Sequence, residues 1–312
     1  MGHLTEERTG EEAGARAFGS PPGYPGTMSD VDAGSEAWPG QVVGVIPGGG
    51  SAQRLAPLPC SKELLPLGFR ATAQGPRPKV IASYLVDALR EARAEQVYWL
   101  IDRSKTDIVQ YFGGGAEFGL QLAYVPTQGS PSVVHTLVSA AAFLRGRHVL
   151  FGFPDIVFEP ASALATLRRR LFERGADVVL GAVPAPPEIA ADRVRVGEEG
   201  RALEIRIKPS HSEWPDVWIL AAWAPSFTRF IELWLLDRVS SDTARGGAAS
   251  ELYLGHALQA AIEAGMSIEV ETFQGGSFID VGTAAGFARA LGRYGSLGAL
   301  ESPLSPPGSA QP

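Results

Sequence analysis

A glycine-rich loop with two cations is the first stretch of the sequence that could do chemistry. It reads GGGSAQRLAPLPCSKELLPLG over residues 48 to 68. Gly48, Gly49 and Gly50 let the backbone approach a ligand closely and present amide hydrogens to phosphate oxygens. Arg54 can bind a phosphate through its planar guanidinium, and Lys62 can add a point charge. The loop therefore predicts a polyphosphate site, and the simpler alternative is a glycine-rich turn with exposed cations.

Two familiar phosphate-binding loops do not fit this stretch. A P-loop requires Gly-Lys-Ser/Thr where the chain has Gln53 and Arg54, and the dinucleotide fingerprint requires glycine in place of Gln53. No acidic residue stands about twenty positions further on, near Arg70, to bind a ribose. The spacing therefore disfavours an oxidoreductase that uses a nicotinamide dinucleotide.

The elements that must position this loop follow from the hydrophobic pattern. Short β-rich runs alternate with segments of helical periodicity, such as those around Leu85, Leu167 and Leu258. Strands are predicted at 42–46, 97–101, 121–125, 148–151, 178–182, 218–222 and 267–272. The alternation predicts an α/β fold with a Rossmann-like mixed, mostly parallel sheet flanked by helices. Ligands bind beyond the carboxyl ends of such strands, and the glycine-rich loop follows the first of them.

Composition limits the classes of partner. The 312 residues carry a formal charge of −7 with a pI near 5.4, which argues against a nucleic-acid or anionic-membrane surface. A single cysteine excludes an internal disulfide framework, and no apolar run of about 18 residues could span a bilayer. We therefore expect a cytoplasmic protein. Residues 1–40 and 297–312 are rich in Gly, Pro and Ser and are predicted to be disordered, which leaves 41–296 as the folded domain.

The glycine-rich loop resembles the signature loop of the sugar-phosphate nucleotidylyltransferases, a family that includes glucose-1-phosphate thymidylyltransferase. The matching positions are Gly49, Gly50, Arg54, Leu55, Pro57, Leu58, Lys62, Leu64, Leu65 and Pro66. The resemblance continues to Tyr294, so it makes 41–296 a nucleotidyltransferase domain of the nucleotide-diphospho-sugar transferase type. It implies a reaction of a nucleoside triphosphate with a sugar 1-phosphate, in which Arg54 and Lys62 are catalytic and the three loop glycines bind the nucleotide.

The same resemblance implies a magnesium site made by two aspartates. Asp155 lies in VLFGFPDIVF, and Asp280 lies in SFIDVGTAAGFARAL. Two carboxylates suffice for Mg²⁺ because this ion keeps several of its waters. Each residue also has a structural alternative, since Asp155 could end a turn after Pro154 and Asp280 could cap a helix that begins near Thr283.

Three further residues are assigned by resemblance alone. Gln128 corresponds to a glutamine near the nucleotide base, Lys208 to a lysine that contacts the sugar-linked phosphate, and Glu251 to an acidic position near the sugar. Trp218 could line a sugar pocket or belong to the core. Similar enzymes commonly form symmetric oligomers, so a homo-oligomer is compatible with the resemblance.

Departures from the family pattern support an alternative function. Ile207 stands where a glutamate is usual, and Val133-Val134-His135-Thr136 replaces Gly-Leu-Ala-Gln. A noncatalytic sensor or regulatory protein that binds a nucleotide or a nucleotide sugar on the same fold would explain them. His135, at a predicted helix start, is expected to be a structural hydrogen-bonding residue.

Overall fold

A nine-stranded mixed sheet forms the centre of the protein in a computed structural model, which describes residues 41–50, 54–72, 74–127, 129–245 and 252–296. In chain order the elements are β1 (Val42–Gly48), β2 (Pro66–Arg70), β3 (Arg77–Val80), α1 (Ala82–Glu91), β4 (Gln96–Asp102), α2 (Thr106–Phe112), β5 (Leu122–Thr127), α3 (Val133–Ser139), α4 (Ala141–Leu144), β6 (His148–Gly152), β7 (Ile156–Glu159), α5 (Ala163–Arg174), β8 (Val178–Pro184), β9 (Arg193–Val196), β10 (Ala202–Arg206), β11 (Asp216–Trp223), α6 (Pro225–Arg245), α7 (Leu254–Glu263), β12 (Ile268–Thr272), β13 (Ser277–Asp280) and α8 (Ala284–Tyr294). The predicted disordered ends, 1–40 and 297–312, lie outside the described residues.

The strand order confirms the predicted fold class. One path through the sheet runs β10-β9-β11-β6-β1-β4-β5, and β8 joins β11 to β12. Strand β1 pairs in parallel with β4 and β6, β4 with β5, and β8 with β12, whereas β11 runs antiparallel to its neighbours. All seven predicted strands are present. The sheet is therefore mixed and mostly parallel, with helices on both faces.

Two hydrophobic layers cover the two faces of the sheet. Side chains of β1 alternate between them, because Val42 and Ile46 belong to one cluster and Val43 and Val45 to the other. The first cluster includes residues of α1, α2 and α5, and the second includes residues of α3, α6 and α7. Burial on both faces explains why the central strands are nearly continuous apolar runs. In the described part of the chain, no helix is long and apolar enough to cross a membrane.

A separate antiparallel ribbon carries one of the predicted aspartates and borders the other. Strand β13 pairs with β7 so that Asp280 faces Ile156, and the amide of Val281 donates to the carbonyl of Asp155 at 2.9 Å. A third apolar cluster, which includes Ile279 and Ala290, packs this ribbon against α8 and β2. These four-residue strands were not predicted from the sequence.

The sheet opens beside β11. Strand β8 pairs with β11 along its whole length, so β6 and β9 share the opposite edge of β11. Strand β6 pairs with Leu220 to Trp223, and β9 pairs at Val217, which leaves Trp218 and Ile219 between the two partners. This divergence opens a cavity at the carboxyl end of β6.

Candidate active site

Three charged side chains that the sequence singled out meet around Gly282. A methyl group placed on the Cα of Gly282 would lie 2.9 Å from Asp280 Oδ1, 3.2 Å from Arg54 Nη2 and 3.3 Å from Asp155 Oδ2. Asp280 Oδ1 also accepts a hydrogen bond from the amide of Gly282 at 2.7 Å. The fold therefore brings together an arginine and two carboxylates that are far apart in the sequence.

Lys62 joins this cluster through an ion pair with Asp155. Both side chains are largely buried, 14% and 17% exposed. Burial opposes the charge on Lys62, but the carboxylates of Asp155, Glu63 and Asp280 outweigh it and raise the pKa of Lys62 above its ordinary value. A methyl group on Gly50 would lie 3.7 Å from Lys62 Nζ, so the glycine-rich loop runs beside a protonated amine.

The short 3₁₀ turn Lys62–Leu64 is held on both sides of Lys62. The amide and hydroxyl of Ser61 donate to the carboxylate of Asp107 at 2.6 and 2.7 Å. Glu63, only 1% exposed, pairs with Lys105 at 2.8 Å. Lys105 immediately precedes α2 and Asp107 lies in its first turn, so two independent contacts fix the direction of Lys62. Neither was predicted from the sequence.

The glycine-rich loop leaves β1 at the carboxyl edge of the sheet, as expected. A methyl group on Gly49 would lie 3.7 Å from Thr127 Oγ1, at the end of β5, and 4.0 Å from Thr136 Oγ1 on α3. Ser132 caps α3, and its hydroxyl is 2.9 Å from His135 Nδ1. His135 is thus a structural hydrogen-bonding residue, as predicted.

A cavity of about 620 Å³ extends from the two aspartates toward the divergence of β6 and β9. Lys208 lines it with a positive φ of 39°, and its ammonium lies 3.8 Å from the centre of the Tyr253 ring. The predicted phosphate-binding lysine and the two aspartates therefore border one cavity. The lining residues are Ser132, Val133, Phe153, Asp155, Ile156, Pro184, Ala185, Pro186, Ile189, Ala190, Ala191, Asp192, Lys208, Val217, Trp218, Ile219, Leu252, Tyr253, Leu254, Gly276, Ser277, Phe278, Asp280, Thr283 and Arg289.

Asp192 is a cavity residue that sequence reasoning missed. Its Oδ1 accepts from the amide of Lys208 at 3.2 Å, and a methyl group on Gly255 would lie 2.5 Å from its Oδ2. Burial raises the pKa of Asp192 to about 6, although nearby Lys208 lowers it in part. A carboxyl with a raised pKa in a cleft marks a functional candidate. Its neighbours come from distant parts of the chain, so no local pattern could have revealed it.

The structure describes only some of the other residues that the sequence singled out. Gln128 and Glu251 lie outside the described residues. Trp218 is 5% exposed and both packs in the core and lines the cavity. Asp280 ends β13 and does not cap α8, because Thr283 accepts the hydrogen bond of the Gly286 amide at 3.0 Å.

The described residues contain no group of three or more metal-binding side chains. The magnesium site therefore remains a prediction that rests on two carboxylates.

Comparison with known proteins supports the fold assignment. The sequence matches no protein-family model and no curated protein. Its structure matches that of a Bacillus anthracis protein assigned as a glucose-1-phosphate thymidylyltransferase, in complex with sucrose. The TM-score is 0.66 at 17% identity, over 83% of this chain and 100% of the other.

Two UDP-glucose pyrophosphorylases have the same fold. The enzyme from Acinetobacter baumannii matches with a TM-score of 0.64 at 17% identity, over 82% of this chain and 93% of the other. A second, in complex with UDP-glucose, matches with 0.63 at 17% identity, over 81% and 98%. The chain therefore has the fold that sugar-phosphate nucleotidylyltransferases use.

Proposed function

We propose that the protein is a sugar-1-phosphate nucleotidyltransferase, which condenses a nucleoside triphosphate with a sugar 1-phosphate to give a nucleotide sugar and pyrophosphate. The observation that carries this proposal is the convergence of Arg54, Lys62, Asp155 and Asp280 at one end of the cavity that Lys208 lines. Cations on both sides of a reacting phosphate are what transfer between two anionic substrates requires.

The reaction needs positioning and charge neutralisation more than covalent help. An oxygen of the sugar phosphate forms a bond to the α-phosphorus of the triphosphate. The bond from that phosphorus to the oxygen bridging the α- and β-phosphates breaks, and its electron pair leaves with pyrophosphate. Because the attacking oxygen is already anionic, the step needs no general base.

Each cation has a distinct place in this step. Arg54 and the amides of Gly48, Gly49 and Gly50 bind the leaving pyrophosphate. Lys62, protonated and fixed by its flanking contacts, neutralises the α-phosphate. Lys208, which lines the same cavity as the two aspartates, orients the attacking phosphate. By resemblance, Gln128 contacts the base and Glu251 lies near the sugar.

The two carboxylates around Gly282 fit a magnesium ion. The carboxylates of Asp155 and Asp280 both lie beside the Cα of Gly282, and hard cations prefer carboxylate oxygens. When bound, Mg²⁺ would neutralise charge on the reacting phosphates. In this chain, Lys62 and the Gly282 amide already hold one oxygen of each carboxylate in place.

The test is pyrophosphate release by the purified protein, with magnesium, over a grid of common nucleoside triphosphates and hexose 1-phosphates. We expect release only when both substrates of a productive pair are present, and Asp280→Asn should abolish it. If no substrate pair releases pyrophosphate and triphosphate binding is still detectable by calorimetry, the result would support the noncatalytic binding protein instead.

A further inference from the structure

One wall of the cavity is formed by the segment between β8 and β9, and a buried arginine binds several of its backbone carbonyls. Arg193 is fully buried, and its guanidinium donates to five backbone carbonyls. Three of these carbonyls belong to the wall segment between β8 and β9, at Ala185 (2.9 Å), Pro186 and Ile189 (3.3 Å). These oxygens are therefore already engaged.

Three amides of the same wall are also engaged. Ala185 donates to the carbonyl of Pro215 at 2.9 Å, Ile189 to Pro186 at 3.1 Å, and Ala191 to Ile189 at 2.9 Å. Pro186 has no N–H to offer. The wall thus presents mainly apolar side chains to the cavity, namely those of Pro184, Ala185, Pro186, Ile189, Ala190 and Ala191.

The lining around Trp218 is mainly apolar as well, and its polar residues are Asp192, Lys208 and Tyr253. Val217 and Ile219 of β11 contribute apolar surface, as do Leu252 and Leu254. Trp218 adds no hydrogen-bond donor to this lining, because its Nε1 is buried.

The remaining polar lining groups belong largely to the catalytic end of the cavity. Ser277, Thr283 and Arg289 come from the β13 to α8 segment that carries Asp280, and Ser132 caps α3 beside the glycine-rich loop. A hexose ring held against the opposite wall would bury several hydroxyls there. Each buried hydroxyl without a partner costs about 1–3 kcal/mol.

We propose, on the basis of the proposed function, that the acceptor is a deoxygenated sugar 1-phosphate rather than a fully hydroxylated hexose 1-phosphate. Its phosphate lies against Lys208, and its deoxygenated carbon packs on the wall of Pro186 and Ile189. One hydroxyl or amine donates to the carboxylate of Asp192.

The test compares glucose 1-phosphate with its four monodeoxy analogues, lacking the hydroxyl at carbon 2, 3, 4 or 6. We expect at least one analogue to exceed the parent about tenfold in kcat/KM, because a buried unpaired hydroxyl is removed. Calorimetric affinities of the same five compounds, with magnesium and a non-hydrolysable triphosphate, should give the same order. A parent compound that ranks first, or a set in which none binds, would overturn the proposal.

This design separates the two proposals. Failure of the proposed function means no pyrophosphate release with any acceptor, and the calorimetric order still tests the acceptor class in that case. Failure of the acceptor class means normal release that is fastest with the fully hydroxylated sugar.

Discussion

Gly282 fits among the charged side chains of the cluster because it has no side chain of its own. Its Cα faces Asp280, Arg54 and Asp155, and the nearest atom of each lies between 2.9 and 3.3 Å from the position that a Cβ would take. Such distances are shorter than ordinary contacts to a methyl group, so an added methyl would displace charged groups. Geometry of this kind decides catalysis, because a shift of about 1 Å can cost roughly a hundredfold in rate.

Gly282→Ala should therefore lower turnover about a hundredfold while the melting temperature changes little, since the crowding falls on side-chain ends. Pyrophosphate release and thermal unfolding of the same preparations measure both effects. Gly292→Ala is the matched control, because a methyl group there would meet nothing within 4 Å. A Gly282→Ala protein with normal turnover would contradict the placement of the active site.

Residue types in the glycine-rich loop were enough to select Arg54 and Lys62 from the sequence, whereas Asp155 and Asp280 were selected through the family resemblance. Asp192 could not be predicted from the sequence, because its burial depends on Lys208 and on close packing against Gly255. The unusual property of Asp192 is its environment, which arises only after the chain has folded. Gly282 was missed for the same reason, since two of its neighbours, Arg54 and Asp155, come from distant parts of the chain.

At the scale of elements, α8 fixes the strand that carries Asp280. A methyl group on Gly286 would lie 1.8 Å from the carbonyl oxygen of Asp280, so the first turn of α8 rests directly on the end of β13. Thr283 caps the helix at this contact. A change at Gly286 therefore displaces backbone and must move the helix or the strand.

Gly286→Ala should lower stability and activity together, in contrast to Gly282→Ala. Overpacking of this kind costs about 1–3 kcal/mol or more. Urea unfolding measures the loss, and pyrophosphate release should fall in the folded fraction because Asp280 moves. Gly292→Ala, in the same helix, should preserve both properties. Retained stability in Gly286→Ala would show that α8 adjusts without moving the strand.

The long strands of the central sheet were predictable because their apolar runs are bounded by turn residues. Strands β7 and β13 were not, since each has four residues and shows no readable period. Their pairing joins residues far apart in the sequence, at Asp280 and Ile156. The strands of the central sheet could thus be predicted from the sequence, whereas the β7–β13 ribbon that aligns the aspartates was seen only in the structure.

At the scale of the whole molecule, the cavity makes the stability of the protein depend on pH. Asp192 has a folded-state pKa of about 6, against an ordinary value of 3.8, because it is buried. The folded protein therefore holds this proton more tightly than the unfolded chain does. Between about pH 4 and 6 this residue lowers the free energy of unfolding as the pH rises, and above that range the loss is complete.

Asp192→Asn should remove this dependence. A shift of about two pKa units corresponds to roughly 3 kcal/mol, so the difference in unfolding free energy between Asp192→Asn and the parent protein should grow by up to that amount from pH 4 to pH 7. Urea titrations of both proteins at several pH values measure it, and taking the difference cancels the other titrating groups. Asp237→Asn, at an exposed position on α6, is the control and should track the parent. If Asp192→Asn also tracks the parent, Asp192 is as well solvated in the folded protein as in the unfolded chain, and the cavity is more open to water than its lining indicates.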